Sequence, residues 1–256
     1  MPRKTDPRVV LDSLVFPEVA RWRDGQLWFS DFQLWLPGMT GTVVVLDAGG
    51  TARTVVDQVP GGPATGLGWL PDGRLLLVAA RGRSLLALEH DGGLTTHADL
   101  SRVASYPCND MVVDASGRAY VGSADPPPAA PALSELMVVH PDGRLDVADS
   151  AMRYPNGAVI TRDGGTLIIA ESQGQCLTAF TIAGDGTLGD KRVWATVPGM
   201  APDGICLDEE GCVWFADAAG NVCVRVAEGG EVRDRVETDR VPSPARSAAT
   251  MAGPCS

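Results

Sequence analysis

The sequence predicts an all-β fold, a six-bladed β-propeller whose sixth blade is incomplete. Three observations carry this. A short turn ending in Gly leads into a hydrophobic strand five times, with the last Gly of each turn at Gly25, Gly73, Gly117, Gly165 and Gly211. Each period, of about 46 residues, holds four strand-like runs and no convincing helix, which is the pattern of a propeller blade. A sixth copy is due just past Ser256, where the sequence ends.

The elements follow in order. Asp24-Gly25 precedes QLWFSD, and Asp72-Gly73 precedes RLLLVAA. The third period reads NDMVVD, RAYVGSA, LMVVHP and RLDVADS. The fourth reads GAVIT, TLIIAES, CLTAFTI and RVWATV. The fifth reads GICLD, CVWFADA, VCVRV and VRDRVET. At the start, RVVLDSLVFPE resembles the outer strand and loop before each later inner strand. It is expected to supply the outer strand of the last blade, over about residues 8–15, closing the ring and hiding an edge. The inner strand of that blade is expected over about 246–252, with its two middle strands missing. Residues 1–256 thus read as one domain, with blades over about 8–241 and an irregular or incomplete sixth blade over 242–256. A half-built blade exposes strand edges, so the protein is expected as a monomer or as a dimer through that gap.

Composition sets bounds. A hydrophobic content of 45% and a charged content of 21% are those of an ordinary globule. A net charge of −11 argues against nucleic acid and anionic membranes as partners. No run approaches the ~20 apolar residues of a membrane span. The start, MPRKTDPRVV, has basic residues with no apolar stretch behind them, so a cytoplasmic location is expected. The six cysteines form no CxxC pair and read as free thiols.

Chemistry is expected at one mouth of the central channel. The run before each inner strand reads as a loop: PEVARW, TGLGWL, NDMVVD, NGAVIT and DGICLD. These loops bring Glu18, Asn109, Asn156 and Asp203 to equivalent positions in four blades, with Thr65 and Gly66 as weaker groups in blade two. Two carboxylates and two amide oxygens suit a hard cation, Ca2+ before Mn2+ or Mg2+. Zn2+ normally seeks His or Cys, and His90, His97 and His140 all fall on outer strands. Asn109-Asp110, Asn156-Gly157 and Asp203-Gly204 also read as turn formers. Cys108 lies beside Asn109, with no His partner to make it a nucleophile. The segments FQLWLPGMTG and ADPPPAAPA read as surface loops or as a rim over the site.

The strings FPEVARW, CNDMVVDASGRAYVG, YPNGAVITRDGGTLIIAES and PDGICLDEEGCVWFADA resemble the gluconolactonase-like family that includes regucalcin, the senescence marker protein. The resemblance runs from about residue 12 to 235. It implies a six-bladed propeller with one divalent ion, held by one Glu, two Asn and one Asp. That pattern falls on Glu18, Asn109, Asn156 and Asp203. It also implies hydrolysis of a small-molecule lactone, with the ion as Lewis acid and Asp203 as base or water-orienting group. The alternative is a calcium-binding propeller without turnover, acting as a binding or scaffolding module. Two departures stand out. Pro107 occupies the place where sugar-lactone hydrolases of the family often carry Arg. In SADPPPAAPA only Asp125 supplies the carboxylate expected near substrate. Asn109, Arg153 and Asp125 are the candidate substrate contacts.

Overall fold

Asp-Gly turns set the period. In hairpin after hairpin an Asp carboxylate accepts the backbone N–H two residues on. Asp72 takes that of Arg74 at 3.0 Å, Asp114 that of Ser116 at 2.9 Å, and Asp208 that of Glu210 at 2.9 Å. A Gly in the same turn, such as Gly117 at φ 84°, adopts the left-handed conformation that closes it. Many of the acidic residues are therefore spent on turns.

The computed structural model describes residues 9–12, 14–32, 40–124 and 133–238. Blade one is β1 (Pro17–Arg23), β2 (Gln26–Phe32), β3 (Gly41–Leu46) and β4 (Ala52–Val56). Blade two is β5 (Ala64–Trp69), β6 (Leu75–Ala79), β7 (Ser84–Leu88) and β8 (Leu94–Asp99). Blade three is β9 (Cys108–Val113), β10 (Ala119–Ser123), β11 (Ser134–Val139) and β12 (Leu145–Met152). Blade four is β13 (Pro155–Ile160), β14 (Thr166–Glu171), β15 (Cys176–Ile182) and β16 (Leu188–Thr196). Blade five is β17 (Pro202–Leu207), β18 (Val213–Asp217), β19 (Val222–Val226) and β20 (Val232–Glu237). Each blade is an antiparallel meander, hydrogen-bonded in chain order. The first strands pack successively, β1 on β5, β5 on β9, β9 on β13 and β13 on β17.

Burial follows radius. Every residue of β6 is buried, whereas β20 is almost wholly solvated. The core lies between blades. Leu76 and Val78 of blade two meet Met111, Val121 and Met137 of blade three. Ile168 and Ala170 of blade four meet Phe215 and Val224 of blade five. Each such Leu, Val or Phe contributes roughly 1.5–3 kcal/mol on burial. Face-to-face packing therefore orders the blades, while hydrogen bonds order the strands within them.

Two expectations are corrected here. The described residues form five four-stranded sheets, a five-bladed propeller, and no incomplete sixth sheet. The dimer through a half-built blade loses its basis with it. Residues 9–12 and 14–16 form no strand. Leu11 and Leu14 instead pack against Ala20, Leu27, Phe29 and Leu46 of blade one. The Asp31 carboxylate accepts the N–H of Val15 at 3.0 Å and of Phe16 at 2.8 Å. Leu11 and Leu14 are partly covered and these N–H groups are satisfied without a strand partner, while Val9, Val10 and Val15 stay exposed. The expected inner strand at 246–252 lies outside the described residues. The second correction concerns the runs read as loops. PEVARW, NDMVVD and their counterparts are themselves the innermost strands, and the strand after each Asp-Gly turn is the second.

Among the described residues no helix is long and apolar enough to cross a membrane. Five cysteines there are free thiols.

Candidate functional site

The second residue of each innermost strand is Glu18, Thr65, Asn109, Asn156 or Asp203. At this point the pairing of first and second strands loses register in every blade. The shift lies between Glu18 and Arg21, Ala64 and Leu67, Pro155 and Ala158, and Pro202 and Ile205. In blade three it likewise lies on the first strand, between Cys108 and Met111, opposite Val121 to Ser123. Such bulges re-aim side chains at strand ends. All five residues line a single cavity of about 90 Å³, together with Phe16, Val19, Phe32, Asp110 and Tyr154.

Hydrogen bonds lock the inner strands together at this level. Ser30 Oγ donates to the Ala64 carbonyl at 2.7 Å, and Thr65 Oγ1 to the Cys108 carbonyl at 3.2 Å. Asn109 Nδ2 donates to the Pro155 carbonyl at 3.3 Å, and Ser172 Oγ to the Pro202 carbonyl at 2.7 Å. Each bond joins one blade to the first residue of the next inner strand. Asn156 Nδ2 donates to Ser172 Oγ at 3.3 Å. Because both amide nitrogens are engaged as donors, each Asn keeps its Oδ1 as an acceptor.

The electrostatics are those of crowded carboxylates. Burial first, then the negative charge of Asp110, push Asp203 up to about 7, against hydrogen bonds from Asn156 and Gly204. Glu18 is raised well above the usual carboxylate range by burial, then by Asp203 and Asp110. Asp110 is also raised by burial, with Arg21 opposing. Only 3% of Asp110 is exposed. Its Oδ1 accepts from Arg21 Nη2 at 2.7 Å.

The donor chemistry fits a hard cation. Glu18, Asn109, Asn156 and Asp203 offer oxygen alone, and the mutual repulsion of the carboxylates is what a cation relieves. Among the described residues no group of three or more His, Cys, Asp and Glu is arranged to hold a metal, so such a centre here must include amide oxygen.

The remaining candidates lie apart. Arg153 lines a separate groove of about 320 Å³ on blade four, with Glu171, Cys176 and Lys191. Its backbone N–H donates to Glu171 Oε2 at 2.6 Å. Asp125 and the segments 33–39 and 125–132, which include most of both expected rim loops, lie outside the described residues. Cys108 is 1% exposed, and burial pushes its thiol up to about 12, which removes it as a nucleophile at neutral pH. Sequence reasoning missed Arg21 and the role of Asp110. Asp110 read as a turn former beside Asn109. Arg21 is hidden by the bulge, since strict alternation along β1 would set it on the face opposite Glu18.

The chain belongs to the SMP-30/gluconolactonase/LRE-like region family, whose profile matches residues 65–254. It is similar to a pentonolactonase, XacC, of Haloferax volcanii, with 29% identity over 182 residues, 67% of this chain and 59% of that protein. It is also 26% identical to a diisopropyl-fluorophosphatase of Loligo vulgaris over 183 residues, 64% of this chain and 58% of that protein. The chain thus spans less than two thirds of the length of these curated relatives. A solved calcium-binding protein, regucalcin from Agrobacterium tumefaciens, shares the fold with a TM-score of 0.74 and 21% identity, over 92% of this chain and 79% of that one.

Proposed function

We propose that the protein is a divalent-metal-dependent lactonase, with Ca2+ as the preferred ion and Glu18, Asn109, Asn156 and Asp203 as its ligands. The observation that carries this reading is the convergence of those four side chains from four blades on one 90 Å³ cavity. The family and the lactonase relative support the reaction class.

The ion supplies Lewis acidity for the lactone carbonyl when bound. The chain supplies the rest. Asn109 and Asn156, tied back through their amide nitrogens, present fixed oxygens that need no reorganisation. Asp203 orients the attacking water and receives its proton. Attack at the carbonyl carbon breaks the ring C–O bond, the water's proton passes on from Asp203 to the departing ring oxygen, and a hydroxy acid results. Hydrogen bonds from Asn156 and Gly204 aim this carboxylate, and a bound cation lowers its basicity, so orienting the water counts for more than holding its proton. The second reading is a calcium-binding propeller without turnover, which the same four oxygen donors would serve.

A pH-stat assay on aldonolactones and acyl lactones, with Ca2+, Mn2+, Mg2+ or Zn2+ present, separates the two. Hydrolysis that needs one of these ions supports the lactonase. Ion binding without hydrolysis of any member of the panel supports the binding module. Asp203→Ala is expected to abolish hydrolysis, and full turnover in that variant would remove the role assigned to Asp203.

A further inference from the structure

Arg21 reaches across the inner strands. From β1 of blade one its guanidinium contacts β9 of blade three. Nη2 donates to Asp110 Oδ1 at 2.7 Å and to the Met111 carbonyl at 2.8 Å, and Nη1 donates to the Ala20 carbonyl at 3.1 Å. The Asp110 side chain is 4% exposed and that of Arg21 is 20% exposed. Asp110 lines the same cavity as Glu18 and Asp203 and raises both carboxylates through its charge. Three carboxylates and one guanidinium therefore leave this cluster a formal charge of −2 when ionised.

We propose that Arg21 is a positioning and charge-setting residue of the cation site. Through Asp110 it fixes the floor of the cavity and trims its charge to match a divalent ion. This rests on the cation site proposed above. The geometry argues for a role beyond bracing. Asp110 is not needed to join the blades, because main-chain carbonyls already receive Thr65 and Asn109 at the same level. A buried carboxylate beside two others carries a desolvation cost, and a guanidinium with two further carbonyl contacts offsets it.

The prediction is a charge series. Arg21→Met leaves the cluster at −3, Asp110→Asn leaves it at −1, and the double variant restores −2. Calcium titrated calorimetrically into EDTA-stripped protein at one pH should bind roughly tenfold tighter to Arg21→Met and roughly tenfold weaker to Asp110→Asn than to wild type. The double variant and Arg21→Lys should both return close to wild type. Equal weakening in Arg21→Met and Asp110→Asn, with no recovery in the double variant, would show a structural tie and overturn the proposal. Should Arg21→Met fail to fold, Arg21→Lys against Asp110→Asn decides it: loss of affinity in both overturns the charge account. A wild type that binds none of the divalent ions removes the cation site itself. A wild type that binds while the series stays flat removes only the role of Arg21.

Discussion

At the residue scale the site is governed by negative charge held in a small buried volume. Asp203 titrates near 7 in the ion-free protein, against about 3.9 for a solvated Asp. A carboxylate raised in the folded state contributes stability at low pH that is lost as the pH rises through its folded value. The ion-free protein should therefore lose thermal stability as the pH climbs from about 4 to 8. Saturating calcium should flatten that slope, because the ion takes the place of the proton. Thermal denaturation across this range, with EDTA and with calcium, checks it. Equal slopes would mean that no cation reaches these carboxylates. The four oxygen donors were legible because each stands at a similar distance before the turn that ends in Gly25, Gly117, Gly165 or Gly211. Arg21 was not legible, because a bulge of β1, with Val19 at φ 50°, cancels the alternation by which strand faces are read.

At the element scale the site depends on how closely the inner strands approach one another. A Cβ added at Gly157 would stand 2.6 Å from both the Asp203 carbonyl and the Ile205 nitrogen. Both contacts are with backbone, so relief requires moving β17, and Asp203 with it. Gly157→Ala should destabilise the protein by about 1–3 kcal/mol and weaken cation binding more than an Ala in an outer strand would. Chemical denaturation paired with a calcium titration measures both, and an unperturbed affinity would contradict the dependence on strand spacing. The meanders could be read from sequence because most of the Gly turns carry their own local chemistry, with an Asp carboxylate such as that of Asp72 or Asp114 capping an N–H. Which strand is innermost was harder to read. NDMVVD carries the polar start of a loop and the apolar end of a strand, and only the neighbouring blade decides between them.

At the scale of the whole molecule, five blades are ordered by apolar faces that meet between them. The expectation of a sixth blade came from counting periods and from likening RVVLDSLVFPE to an outer strand. A hydrophobic run that covers an exposed blade face has the same composition as one that pairs along an edge, and here Leu11 and Leu14 cover the face. All five site positions, Glu18, Thr65, Asn109, Asn156 and Asp203, belong to the five described blades. These blades are proposed to converge to hold a divalent ion that lactone hydrolysis requires. The most direct test is hydrolysis of an aldonolactone panel followed by pH-stat, before EDTA treatment, after it, and after calcium is returned. Activity that vanishes with EDTA and returns with calcium in the wild type, but never appears in Asp203→Ala, is the result predicted. Hydrolysis at an unchanged rate in the stripped protein would contradict it.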